Sequence, residues 1–467
     1  MLTRLEVFIR SRGIRPVALA DECGYHRSHV LRIRNAKSEP TRDGIARIVS
    51  ALRRLTLEDV KPDAVFELVA EESGPWHKRG ATSSFVREAT QFKAERDRAR
   101  QLLAEVTKQP SAAWLGVLRR TPDGVSAAVA RAAALEGRRW LDNKPSYAEA
   151  LFGFAAAIAD EAPDLTPEYR AFLCGRTRVD QADALRQLGS YRAALPVLDE
   201  AERRLEGVPA CTHELGRAWF WRGVILFKMN GLDEALRQVR RSVNVFAAVD
   251  DQRRLAQARL VEGNVLYEQG RTETARDLWL LIEPAFAASR DRHTLASLWL
   301  NLGWCDLDRG DAKGAKAWLQ RALERFTHIK SAIDVARARW ALAMVEARYG
   351  DRTAGIRALR REQAQLASLD VATEAAMIGL DIAEILLLDP KGSAAEAAAI
   401  CRDLPRLFER AGARKEVLKA LSYLWEATNR GAANAELVRR IRGEVKRAER
   451  DSRYTFDVSA VSRVAHA

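Results

Sequence analysis

The stretch WLNLGWCDLDRGDAKGAK, residues 299–316, sets two small residues twelve apart, Gly303 and Ala315, on either side of a turn containing Gly310. Small residues where two helices cross let their backbones approach closely, so the stretch reads as the centre of a helical hairpin. The arrangement recurs. LGSYRAAL, MNGLDEAL, QGRTETAR, RGDAKGAK and YGDRTAGI place a small residue at Ala194, Ala235, Ala275, Ala315 and Gly355, separated by 41, 40, 40 and 40 positions. Upstream, WFWRGVIL, LVEGNVLY, WLNLGWCD and WALAMVEA place Gly223, Gly263, Gly303 and Ala343 twelve positions before the second small residue. A forty-residue period holding two helices is one supersecondary unit repeated, which buries its apolar face by stacking on its neighbours.

The pattern W-x-x-L-G followed by G-x-x-x-x-A resembles the tetratricopeptide family in its long-period form, over Tyr169 to Ala364. Residues 126–160 read as an atypical first hairpin, ATEAAMIGLDIAEILLL with SAAEAAAICRDLPRLFERAG as a further unit, and KEVLKALSYLWEATNRG with the basic ELVRRIRGEVKRAERD as a terminal cap. The resemblance implies that the first helix of each unit lines a groove for an extended peptide or partner segment. On the family's register the groove residues are Arg217, Phe220, Asn264, Tyr267, Trp304, Asp308, Trp340 and Arg348. An Asn grips a peptide backbone through both donor and acceptor, and aromatics with Arg supply anchors. The plainer alternative is that these aromatics fill the interior, as Trp299 and Leu302 are expected to do. Only one Asn falls on the expected groove.

The first 60 residues follow a different rule. LTRLEVFIRSRG has helical apolar spacing and stops at Gly13. Pro16 suits the first turn of a second helix, Val17 to Cys23, because its missing N–H would have no partner there anyway. Gly24 permits a tight turn, a third helix is expected from His26 to Asn35, and Thr41 caps a fourth. Counting from Pro16, Ala20, Gly24, Val30 and Ile33 fall at the fifth, ninth, fifteenth and eighteenth places, where a helix-turn-helix needs a small residue, a turn glycine and two inward apolar residues.

With its flanks, LADECGYHRSHVLRIRNAKSEPT resembles the Cro/C1-like (XRE) helix-turn-helix family. It departs where that family commonly has Gln, here Pro16, and where it often has Glu-x-Gly, here Arg34-Asn35-Ala36, which makes this helix more basic than usual. The resemblance places base contacts on Arg27, Ser28 and Arg32, and backbone contacts on Asn35, Lys37, Thr41 and Arg42. Arg bonds guanine O6 and N7 bidentately, which favours G-containing half-sites. The alternative is an ordinary solvated basic face.

Overall charge agrees with a polyanionic partner without demanding one. The net charge is +13 and the sequence pI about 9.7. The excess is clustered, with 13 basic and 7 acidic residues from Met1 to Lys61 and 7 against 3 in VRRIRGEVKRAERDSR near the end. The cysteines, Cys23, Cys174, Cys211, Cys305 and Cys401, are scattered, and the C-x-x-H spacing of Cys23 and His26 has no second ligand pair. No Walker-type loop, H-E-x-x-H or G-x-S-x-G element occurs. Neither a signal peptide nor a membrane span is expected.

The sequence therefore predicts an all-α chain: a helix-turn-helix domain over 1–72, a linker over 73–84, and a tetratricopeptide-like α-solenoid over 85–467. The expected function is a cytoplasmic, non-enzymatic transcriptional regulator without cofactor or metal. Its expected partners are double-stranded DNA, a peptide or protein effector and a second copy of the chain as homodimer. The alternative is a protein-interaction scaffold whose N-terminal bundle contacts protein rather than DNA.

Overall fold

The computed structural model describes residues 3–35, 37–58, 60–66, 83–208, 211–288, 291–388, 394–410, 412–450 and 454–458. Every regular element among them is a helix, and the fold is the expected helix-turn-helix bundle followed by a tetratricopeptide-like solenoid. The linker expected over 73–84 and the domain boundary at 72 fall outside the described residues, except for 83 and 84, which begin a helix. Two compact units are formed, Met1–Ile225 with Arg237–Leu255, and Leu226–Leu236 with Ala256–Ala467.

The first unit opens with α1 (Arg4–Arg12), α2 (Pro16–Cys23), α3 (Arg27–Arg34), α4 (Arg42–Thr56) and the single turn α5 (Pro62–Val65). Each start has a local cause. Thr3 accepts from the Glu6 backbone N–H, Pro16 takes the first turn of α2, His26 accepts from Ser28, and Thr41 accepts from Gly44. These caps satisfy N–H groups that no earlier turn can reach. Gly24 ends α2 with φ at 70°, the left-handed conformation that only glycine adopts freely. Leu19, Ala20, Val30, Ile33, Ile48 and Leu52 are buried together, so α2, α3 and α4 share one core.

The same unit continues through α6 (Ser83–Val106), α7 (Trp114–Arg119), α8 (Ala127–Trp140), α9 (Pro145–Glu161), α10 (Pro167–Gln187) and α11 (Tyr191–Leu205). Helix α1 packs on α6: the Arg12 guanidinium lies 3.7 Å from the Phe8 ring centroid and 3.9 Å from that of Phe92, and Arg12 pairs with Glu58 at 3.0 Å.

From here the period is visible in the helix starts. First helices α12 (Thr212–Lys228), α14 (Gln252–Glu268), α16 (Arg292–Asp308), α18 (Ala332–Tyr349) and α20 (Ala372–Leu388) begin every 40 residues. Second helices α13 (Leu232–Ala248), α15 (Thr272–Ala288), α17 (Ala312–His328) and α19 (Arg352–Ser368) do the same, before α21 (Ala394–Arg410), α22 (Lys415–Asn429) and α23 (Ala435–Arg450). The small positions have the expected use: a Cβ on Gly303 would fall 2.4 Å from Leu319 Cδ2, closer than atoms can pack. The repeat extends through α20 and α21, which pack on each other. The final pair departs from it, because α23 packs on α20 as well as on α22.

Candidate functional site

The helix-turn-helix presents Arg27, Ser28, Arg32, Asn35, Lys37, Thr41 and Arg42 at exposed positions, along α3 and the entry to α4. His26 Nδ1 lies 2.7 Å from Ser28 Oγ, so Ser28 already has a partner within the turn. His29 stands edge-on to Tyr25, with centroids 4.8 Å apart. Arg27 and Arg32 have no ion-pair or side-chain hydrogen-bond partner among the described residues. Arg34 differs from the sequence expectation. Its Nε lies 2.9 Å from Glu6 Oε2, and its carbonyl accepts from Thr3 Oγ1 at 2.9 Å. The departure that made α3 look more basic is thus a strut between α3 and α1, its charge offset by a carboxylate.

The groove expectation separates into two parts. Arg217 and Phe220, on α12, are buried in the first unit rather than displayed. Phe220 packs edge-on against Trp221. Arg217 donates to Asp180 at 2.5 Å and to Glu214 at 2.6 Å. Asp180 also accepts from Arg138 Nε at 2.9 Å, and Glu214 pairs with the buried Arg176. The chain of charge continues into the bundle, where Arg138 donates to the carbonyl of Arg54 at 3.3 Å and Arg54 pairs with Glu22 at 2.7 Å.

Burial would raise the Asp180 and Glu22 carboxyls, but the arginines outweigh it. Arg138 and Arg217 hold Asp180 well below the usual carboxylate range, and Arg254 and Arg54 bring Glu22 down to about 2. Burial, with Arg138 nearby, lowers Arg176 to about 9. A site that disfavours its own charge this way is held together only by its partners. The sequence reading missed this network. Its signal was available in the density of charge within GRTRVDQAD, residues 175–183, on a helix whose repeat position demands burial.

The other six groove residues lie in the second unit and are connected there. Tyr267 donates its hydroxyl to Asp308. Asn264 accepts from Asn301 Nδ2 at 3.0 Å, so a second Asn joins the one expected. Trp304 and Trp340 meet edge-on with centroids 5.4 Å apart. Trp340 Nε1 donates to Asp381 at 2.7 Å, and Arg348 lies 3.5 Å from Glu384. Asp381, Glu384 and Asn301 were not singled out from sequence, yet Asp381 lies two periods along the array from Asn301, and Glu384 three periods from Asn264, at the same first-helix positions.

Among the described residues no group of His, Cys, Asp and Glu is arranged to hold a metal, and no helix is long and apolar enough to cross a membrane. No family model matches the chain, and no curated protein matches it in sequence. Its likeness to solved structures lies in the fold. The apo form of the quorum sensor NprR from B. thuringiensis has a TM-score of 0.52 at 14% identity, over 76% of this chain and 98% of its own. Aspartyl phosphate phosphatase F from Bacillus subtilis has a TM-score of 0.50 at 11% identity, over 79% of this chain and 95% of its own. One fold thus serves a sensor and a phosphatase, and the site residues must decide function.

Proposed function

We propose that the chain is a DNA-binding transcriptional regulator whose repeat domain takes a peptide or protein effector. In this reading α3 enters the major groove, Arg27, Ser28 and Arg32 face bases, and Asn35, Lys37, Thr41 and Arg42 hold the phosphates. One short helix reads few base pairs, so two copies bind half-sites about one helical turn apart as a homodimer.

The observation carrying this reading is a contrast within the bundle. Arg10, Arg12, Arg34, Arg47 and Arg54 each have a carboxylate partner, whereas Arg27 and Arg32 are exposed on α3 without one. An unpaired guanidinium pair on the second helix of a helix-turn-helix supports base reading over a part in holding the fold.

Footprinting of the full-length protein on its own genomic neighbourhood tests it. Salt-sensitive, sequence-selective protection is expected, and Arg27→Ala with Arg32→Ala should lose sequence preference while keeping its helical content. Undiminished operator selectivity in that variant would refute the assignment.

A protein-interaction scaffold is the second reading, favoured by the contacts the bundle already makes with protein. Arg12 stacks on Phe92 of α6, and Arg96 of α6 donates to the carbonyl of Ser11 at 2.5 Å. Absent or salt-indifferent DNA binding is the outcome that favours it.

A further inference from the structure

The basic run near the end of the sequence has a use that neither reading absorbs. Helix α23 is two-faced. Leu437, Val438, Ile441, Val445 and Ala448 are buried in one cluster with α20, α21 and α22. Arg439, Arg442 and Lys446, spaced three and four apart, form a second stripe on a different side of the helix.

That stripe meets acids carried by first helices of the array. Arg439 donates to Glu384 at 2.9 Å. Arg442 lies 2.5 Å from Asp381 and 2.7 Å from Glu384, and Asp308 adds to the charge that steadies it. Lys446 lies 3.9 Å from Glu268, at the end of α14. Glu268 and Asp308 are one period apart, and Arg348 one further. The stripe thus brings three cations to carboxylates carried by α14 and α20.

We infer that the expected groove is already occupied by α23, and that its external ligand is a basic amphipathic helical peptide that displaces α23 from these carboxylates. The inference rests on the groove reading proposed above and adds the ligand's chemistry. Charge complementarity chooses the occupant: an acidic segment would face Asp381 and Glu384, whereas Arg or Lys at the three spaced positions satisfies them as α23 does. Because α23 is tethered, it competes at a high effective concentration, so a ligand in trans binds weakly until α23 is loosened.

The test uses the full chain and a labelled synthetic peptide with the sequence of residues 435–450, read by fluorescence anisotropy. Arg439→Ala, Arg442→Ala and Lys446→Ala together loosen α23 while keeping its apolar stripe. This variant should bind the peptide about tenfold tighter than the unaltered chain, and adding Asp381→Asn with Glu384→Gln should remove the gain. Equal affinity for the two chains, or binding that survives loss of the two carboxylates, overturns the inference.

If the triple variant fails to fold, amide exchange on the unaltered chain with excess peptide replaces it. Faster exchange over residues 435–448 supports displacement, and unchanged exchange overturns it. A peptide with Glu at the three cationic positions separates the two proposals. Should it bind in place of the basic one, the ligand chemistry is wrong and groove capture stands, and should neither bind, both fall.

Discussion

Asp180→Asn should be among the most damaging conservative substitutions in the chain. Asp180 is buried and accepts from Arg217 at 2.5 Å and from Arg138 at 2.9 Å. Asparagine keeps the volume and one acceptor oxygen but removes the charge. Arg217, Arg138 and the buried Arg176 are then left with Glu214 as their nearby acid. Breaking a buried ion pair by removing one partner costs about 3–5 kcal/mol, and for a unit of this size each kcal/mol moves the melting temperature by roughly 2–4 °C. The expected fall is therefore on the order of 10 °C, measured by calorimetry or by the urea midpoint of the full chain.

Two controls discriminate. Adding Arg217→Met should recover much of the loss, because an apolar residue replaces the stranded cation. Glu161→Gln, which breaks the solvent-exposed Arg119 pair, should leave the midpoint unmoved. The sign with pH also follows. Asp180 titrates below its ordinary value, so its stabilisation is present above that value and fades as pH falls through the folded one, and the gap between parent and variant should narrow in acid. A loss under about 1 kcal/mol at neutral pH would refute the account of the network as a set of mutually dependent buried charges.

Glu22, held down to about 2, contributes stability above its ordinary carboxylate value of 4.5 that disappears between 4.5 and 2, so Glu22→Gln should flatten the acid limb of a urea-midpoint profile over that window. Gly303→Ala drives a methyl into Leu319 and should cost about 1–3 kcal/mol by overpacking, read as a lower urea midpoint. All five thiols are buried, and burial raises Cys23, Cys174, Cys211 and Cys305 to about 12 and Cys401 to about 11. Ellman's reagent should accordingly find no reactive thiol at pH 8 until denaturant is added, and five afterwards. Arg34→Ala removes the strut to Glu6 without touching a residue proposed to face DNA, and on that proposal gel shift should show weaker operator binding with its sequence preference kept.

The repeat was legible because a small residue at a helix crossing has no substitute: Gly303 and Gly355 mark close approaches that other side chains would block. The four helix-turn-helix positions were legible for the same steric reason, with Gly24 fixed by its left-handed turn. Charged positions were harder. Arg217 and Arg348 sit on first helices alike, yet one is sealed between two buried acids and the other lies at 3.5 Å from a carboxylate that α23 shares. Which way a long side chain turns depends on partners such as Asp180, 37 residues from Arg217, and Glu384, 36 from Arg348, and sequence spacing alone does not rank those partners. The role of α23 was hidden for a related reason: a basic amphipathic helix reads as a solvated cap until the acids of α20 are placed beside it.

The contact between Lys446 and Glu268 joins residues 178 positions apart, in an array whose other helices touch near neighbours. Neighbour contacts form quickly and locally, while a closure of that length comes late. During synthesis from the N-terminus, α14 to α20 therefore leave the ribosome before α23 exists. For those seconds the acidic face is uncovered, and the proposed basic ligand would meet it then without having to evict α23.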